Sequence, residues 1–210
     1  MALICPPRQY AKGEIFFKIG DPGDRLFILL EGHVKITLPS PQGERVVAIC
    51  GPDDFFGESF LTYDQERTSN AVSLSSRVIA CPVSRDQFLR VAQQVPTVVL
   101  TFATALVERT RTLESELQRT NMPAEVRLAM GLILLARRFG TELAPGMMEL
   151  NLEIKHEELG SLAGTTRVSA TTAMSAWREQ GLIEGTRGIY RINVQGLEAL
   201  VERLEWQKGG

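Results

Sequence analysis

The sequence predicts an α+β fold: an N-terminal antiparallel β-roll of jelly-roll type, one long helix, and a C-terminal group of short helices closed by a hairpin. Three observations lead to it. Short β-branched and aromatic runs separated by Gly, Pro and Asp turn signals fill residues 1 to about 92. From Thr97 to Asn121 there is no Gly or Pro. Helix-period segments then alternate with glycine stops as far as Trp206.

In the first region, Glu14–Ile19, Arg25–Leu30, His33–Leu38, Arg45–Ile49, Asn70–Leu74 and Val78–Val83 read as strands. Gly20-Asp21-Pro22-Gly23, Glu31-Gly32, Pro39–Gly43 and Gly51-Pro52-Asp53-Asp54 punctuate them. Strands so short and so regularly spaced close as a barrel or jelly roll. Pro96 opens the long helix, as prolines do in a first turn. Along it Val99, Ala103, Leu106, Thr110, Leu113, Leu117 and Thr120 recur three and four apart, the seam of a two-stranded coiled coil. Packing of the helix on its own barrel is the competing reading. A stripe this narrow, with small and polar members, favours self-association through Val99, Ala103, Leu106, Thr110, Leu113 and Leu117.

Met122-Pro123 breaks the helix and forms the expected hinge. A helix over Ala124–Phe139 ends at Gly140; Glu142–Leu152 reads as loop and short strand. Lys155–Ala163 and Thr166–Gln180 are predicted helices, Ile183–Asn193 a hairpin, and Gly196–Trp206 an amphipathic closing helix. The expected divisions are residues 1–95, 96–121 and 122–210.

Composition narrows the function. Apolar residues make up 44% and charged residues 23%, as in ordinary globular chains. The longest strongly apolar run, Leu128–Ala136, is nine residues, too short for a bilayer, so no membrane partner is expected. The first twenty residues hold no hydrophobic signal region, and Cys5, Cys50 and Cys81 lie outside any metal or redox motif. A cytoplasmic chain is expected. Net charge is −2, and residues 121–210 carry 10 Lys and Arg against 11 Asp and Glu. Binding to nucleic acid therefore needs a local patch, and Arg167, Arg178, Arg187 and Arg191 against Glu179 and Glu184 supply one.

Residues 55–68 carry the first constellation. Gly57 lets backbone N–H groups approach an anion, and Ser59 follows in the same turn. Ten residues on, Arg67 offers a planar fork for phosphate oxygens and Thr68 a hydroxyl donor. Glu58 only accepts hydrogen bonds, so it suits a ribose hydroxyl and repels a second phosphate. A ligand with one charge and one sugar hydroxyl, a cyclic nucleotide, fits that set. The bland alternative is a tight turn in which Arg67 bridges Glu58 or Asp64.

The second constellation spans residues 154–174. Leu159 and Leu162-Ala163 bury a first helix, Gly164 turns the chain, and Thr165 or Thr166 caps a second helix that packs through Val168 or Ala170 and Ala173-Met174. That second helix would present Thr166, Arg167, Ser169 and Thr172 to base edges or phosphates. Lys155 and His156 precede it, and the following hairpin, with Arg187 and Arg191, completes a winged helix-turn-helix.

Gly32-His33-Val34, Phe56-Gly57-Glu58, Arg67-Thr68, the long helix and the winged helix ending Gln180-Gly181-Leu182-Ile183 stand in the order found in one group of proteins. The chain resembles the cAMP receptor protein/FNR (CRP/FNR) family of bacterial transcription regulators over nearly its whole length. The resemblance implies a cyclic-nucleotide-binding β-roll, a dimerisation helix and a C-terminal DNA-binding domain. It implies a homodimer on a pseudo-palindromic DNA site, a ribose held at Glu58, a phosphate at Arg67-Thr68, and cAMP as allosteric ligand rather than a required cofactor. Residues 142–148 would stand where family activators touch RNA polymerase. The chain departs from the family in three places. Leu113-Glu114, with Thr110 nearby, replaces the pair that meets adenine; Val168 follows Arg167 where a Glu is usual; and Thr172 stands where a second Arg is often found. The alternative is an effector-independent regulator, controlled by its abundance or by another small ligand, with a vestigial pocket. Two histidines 123 residues apart and three scattered cysteines give no metal or haem set, and no nucleophile–base pair suggests an enzyme.

Overall fold

The computed structural model describes residues 5–206 apart from Gln42, Tyr63 and Arg187, and apart from the side chain of Glu116. The chain forms two units: residues 1–38 with 48–119, and residues 39–47 with 120–210.

Eight strands open the chain among the described residues. They are β1 (Arg8–Ala11), β2 (Ile15–Phe17), β3 (Arg25–Glu31), β4 (Val34–Ser40), β5 (Gly43–Cys50), β6 (Phe55–Phe56), β7 (Asn70–Ser73) and β8 (Arg77–Ser84). All lie in the first unit except for residues 39–47, the end of β4 and the first part of β5, which belong to the second. The strands make two four-stranded sheets, β1-β8-β3-β6 and β2-β7-β4-β5. The register β3–β8 sets Leu26 opposite Val83 and Ile28 opposite Cys81. Alternation along the first half of β8 buries Val78 and Ala80, while Arg77 points out. Phe17 of β2 reaches Phe27 and Phe56, which stack with centroids 5.2 Å apart. Each such ring, taken from water, contributes about 1.5–3 kcal/mol to holding the sheets together. The predicted strands are all present; β1 and the two-residue β6 are additional.

Two helices follow, α1 (Arg85–Gln94) and α2 (Thr97–Arg119). α1 was not among the expected elements, although its capping box is written in Ser84 and Gln87, whose side chains each bond the other's backbone N–H. Phe102 of α2 is buried against Phe60 and Phe88, and Leu106 packs partly buried on the same cluster.

The second unit holds α3 (Ala124–Phe139), β9 (Thr141–Ala144), β10 (Met147–Asn151), α4 (His156–Leu162), α5 (Arg167–Glu179), β11 (Ile183–Thr186), β12 (Ile189–Asn193) and α6 (Val194–Trp206). Its sheet runs β11-β12-β10-β9, all antiparallel. α3 buries Val126, Ala129, Leu132, Ile133 and Ala136, its i, i+3, i+4 face. Trp177 of α5 is fully buried and donates its indole N–H to Glu125 at 3.2 Å. Arg127 donates to four carbonyls: Ala163 at 2.8 Å, Gly164 at 3.0 Å, Thr120 at 3.3 Å and Met122 at 2.5 Å.

Candidate functional site

Within the first unit, Gly57 has φ 87° and ψ 39°, a left-handed conformation that starts a single helical turn, Glu58–Leu61. Ten residues later Arg67 is only 2% exposed. Its backbone is fixed by the 20–21 turn, through Arg67 N–H to the Asp21 carbonyl at 3.0 Å and Gly20 N–H to the Arg67 carbonyl at 2.9 Å. Its guanidinium donates to the Gly57 carbonyl at 2.8 Å, the Ser59 hydroxyl at 3.3 Å and the Arg25 carbonyl at 2.6 Å, and lies 4.1 Å over the Phe17 ring. Nε has no hydrogen-bond partner. No ion pair to Arg67 forms among the described residues, so the alternative bridge to Glu58 or Asp64 is not the arrangement found. Burial pulls the guanidinium pKa down from its usual value, against the weaker pull of Asp24. A buried cation with no paired carboxylate favours an incoming anion.

Glu58 is half-buried and ion-paired to Arg109 of α2. Arg109 also reaches the Cys50 sulfur and the Phe55 carbonyl, each at 3.4 Å. Sequence reading missed Arg109, because a charged residue on a helix face looks like a solvated one. Its only signal is the turn spacing that sets it one turn beyond the half-buried Leu106. Thr68 is exposed, as are Thr110, Leu113 and Glu114, and the Thr110 hydroxyl bonds the Leu106 carbonyl of its own helix at 3.0 Å. A cleft of about 440 Å³ also touches Arg67; it is lined by Arg8, Tyr10, Phe17, Asp24 and Arg25 and includes neither Glu58 nor Arg109.

Along α2 the expected seam divides. Val99, Leu113 and Leu117 are exposed, at 47%, 47% and 73%, and Ala103 and Thr110 lie open as well. Leu106 instead packs inward on the roll, while Leu100 and Val107, absent from the predicted stripe, are 69% and 51% exposed.

In the second unit, Thr166 caps α5, its hydroxyl accepting from Ser169 N–H at 3.1 Å. Ala170, Ala173, Met174 and Trp177 face the core. Of the two alternatives for the packing position, Ala170 is the buried one and Val168 is 74% exposed. Arg167 and Thr172 are exposed beside it, with Ser169 and Thr165 half-buried. Lys155 is exposed at the start of α4, and His156 Nδ1 lies 3.2 Å from the Thr171 hydroxyl. Burial, then the nearby Arg178 and Arg167, lower the His156 pKa from its usual value. Arg178 ties α5 to the wing through the Gly185 carbonyl at 3.3 Å. Arg191 pairs with Glu149 across β10–β12 at 3.5 Å; Arg187 lies outside the described residues. No cluster of three or more His, Cys, Asp or Glu able to hold a metal, and no single helix long and apolar enough to cross a membrane, occurs among the described residues.

Comparison with known proteins agrees with both halves. The cyclic nucleotide-binding domain family matches residues 7–95, and the Crp-like helix-turn-helix domain family matches residues 126–203. The chain is 31% identical over 181 residues to the CRP-like cAMP-activated global transcriptional regulator of Mycobacterium tuberculosis, covering 84% of this chain and 79% of the relative. It is 30% identical over 178 residues to the cyclic AMP receptor protein of Thermus thermophilus, covering 84% and 78%. FixK2 from Bradyrhizobium japonicum shares the fold, with a TM-score of 0.78 at 21% identity, over 93% of this chain and 96% of that one. The chain belongs to the CRP/FNR family of transcription regulators, with a cyclic nucleotide-binding domain and a DNA-binding helix-turn-helix.

Proposed function

We propose that the protein is a cytoplasmic, homodimeric, sequence-specific DNA-binding regulator whose β-roll takes up a cyclic nucleotide, cAMP first among them. The observation that carries this reading is Arg67: buried, clasped by two carbonyls and a hydroxyl, without a counter-ion, and with Nε unpaired. A cyclic phosphate brings one negative charge to such a cation. Glu58, with Ser59 one residue on, stands ready for the ribose side, its carboxylate paired with Arg109. Thr68 would add a hydroxyl, and Thr110, Leu113 and Glu114 would face the base. The M. tuberculosis and T. thermophilus relatives, both named for cAMP, support the choice of ligand.

A second copy of the chain would cover the exposed apolar face of α2, where Leu100, Val107, Leu113 and Leu117 otherwise stand in water. Two copies would then present two α5 helices to successive major grooves about 34 Å apart. Arg167 would read guanine, and Lys155, His156, Thr165, Thr166, Ser169, Thr172, Arg187 and Arg191 would contact neighbouring bases or phosphates. Val168 cannot accept from cytosine, so the base pair it faces should be loosely specified. Activation would use the 142–148 segment, with Leu143 49% exposed, against RNA polymerase. The protein acts by binding, not turnover.

One observation favours a second reading, an effector-independent regulator. The Arg67 donors already meet carbonyls and Glu58 already has Arg109, so the pocket is largely self-satisfied. Titration calorimetry with cAMP and cGMP separates the two readings. Binding by the wild type that Arg67→Lys weakens at least tenfold supports a nucleotide regulator; no heat with either nucleotide leaves the effector-independent reading.

A further inference from the structure

Cys5 and Cys81 are 76 residues apart in sequence, yet the fold brings them together. Their Cα atoms are 5.8 Å apart, within the span a disulfide bridges. Both residues are 3% exposed. They share one apolar cluster with Phe60, which follows Glu58 in the same turn, and with Phe102 of α2. In the reduced form the Cys81 thiol has an acceptor at hand, the Cys5 carbonyl at 3.4 Å. Cys5 lies just before β1, the edge strand of its sheet and mostly exposed. Local opening at such an edge exposes a thiol without global unfolding. The third cysteine, Cys50, is buried elsewhere and is not bridged.

We propose that Cys5 and Cys81 are a reversible dithiol–disulfide couple, a modification site that pins the chain before β1 onto β8 beneath the contact between Phe60 and Phe102. The oxidant is a low-molecular-weight disulfide. One protein thiolate attacks a sulfur of that disulfide, expelling a small thiolate and forming a mixed disulfide; the second protein thiolate attacks the protein sulfur and expels the other. The two protein sulfurs lose two electrons, the small disulfide gains them, and the two protein protons end on the two small thiols. Bridges in reducing compartments are as a rule redox-sensing and not structural, which suits a couple that can be reopened. Closure over 76 residues restrains the unfolded chain.

The full-length protein, equilibrated over a series of reduced-to-oxidised glutathione ratios, acid-quenched and alkylated after denaturation, reports the couple by intact mass. The expected result is a single step from three free thiols to one, with Cys5 and Cys81 peptides linked and Cys50 alkylated. The oxidised protein should melt about 5 °C or more above the reduced protein, and Cys5→Ala should abolish that difference. Three free thiols at every ratio, a bridge including Cys50, or a bridge between two chains would overturn the proposal. So would an intrachain Cys5–Cys81 bridge with no melting shift, since nothing would then be pinned.

Discussion

Gly57→Ala probes the clasp on Arg67 at its tightest point. A Cβ built on Gly57 meets Arg67 Nη1 at 2.7 Å, the Arg25 carbonyl at 3.3 Å and Phe17 Cε1 at 3.4 Å, at a φ of +87°. Holding alanine in the left-handed region costs about 1–2 kcal/mol. The first contact is too short to persist, and the guanidinium cannot move aside without loosening its hold on three acceptors. Losing one hydrogen bond from a charged donor adds about 1.5–3 kcal/mol. The sum, about 2.5–5 kcal/mol, lowers a urea midpoint by about 1–2.5 M at a slope near 2 kcal/mol per M. Gly13→Ala is the matched control: its φ is +78° and nothing lies within 4 Å of the added Cβ, so only the conformational cost applies. Chemical unfolding followed by fluorescence measures both. If the two variants agree within about 0.5 kcal/mol, the clasp does not constrain Arg67 and the account of the pocket fails. With Arg67 displaced, nucleotide affinity should fall about ten- to a hundredfold.

Other expectations concern the helices. Arg167→Ala should cost about 1–3 kcal/mol on a selected DNA site and much less on scrambled DNA, read by fluorescence anisotropy at fixed salt; equal losses on both would remove Arg167 from base reading. The double variant Val107→Glu/Leu117→Glu should sediment as a monomer with unchanged circular dichroism, since both side chains are exposed in the single chain; a retained dimer would place the interface elsewhere. For His156, the folded pKa lies below the unfolded value of about 6.5, so the unfolded chain binds the proton first as pH drops. Its stabilisation is complete above about pH 6.5 and is lost as pH falls from there towards the lowered folded value. His156→Gln should flatten that part of the stability profile, and an unaltered profile would show that another group titrates.

Much of this was legible because local signals and tertiary needs coincide. Ala124–Phe139 was readable from end to end, since an apolar face of period 3.6 stops at a glycine. Gly57 and Arg67 were singled out for an anion they would share; that the Gly57 carbonyl itself accepts from Arg67 is a contact their chemistry did not announce. Other features depend on what a side chain meets. The α2 stripe serves two surfaces, the roll through Phe102 and Leu106 and an uncovered face through Leu100 and Val107, and a single periodicity cannot separate them. Arg109 meets Glu58 from 51 residues away, and Cys5 meets Cys81 from 76, distances at which spacing carries no signal. α1 is a different case: its capping box was present in the sequence, but a β-rich neighbourhood hid it.

The four carbonyls held by Arg127 come from the breaker segment, Thr120 and Met122, and from the turn between α4 and α5, Ala163 and Gly164. One planar cation cannot follow two carbonyl pairs that move apart. Within this unit the breaker and the turn must therefore rearrange together or give up charged hydrogen bonds, which makes them a single opening unit in amide exchange. A lysine in its place, with one nitrogen, could not span both pairs at once. The fork geometry of arginine, more than its charge, is what makes two stretches some forty residues apart in sequence mechanically continuous.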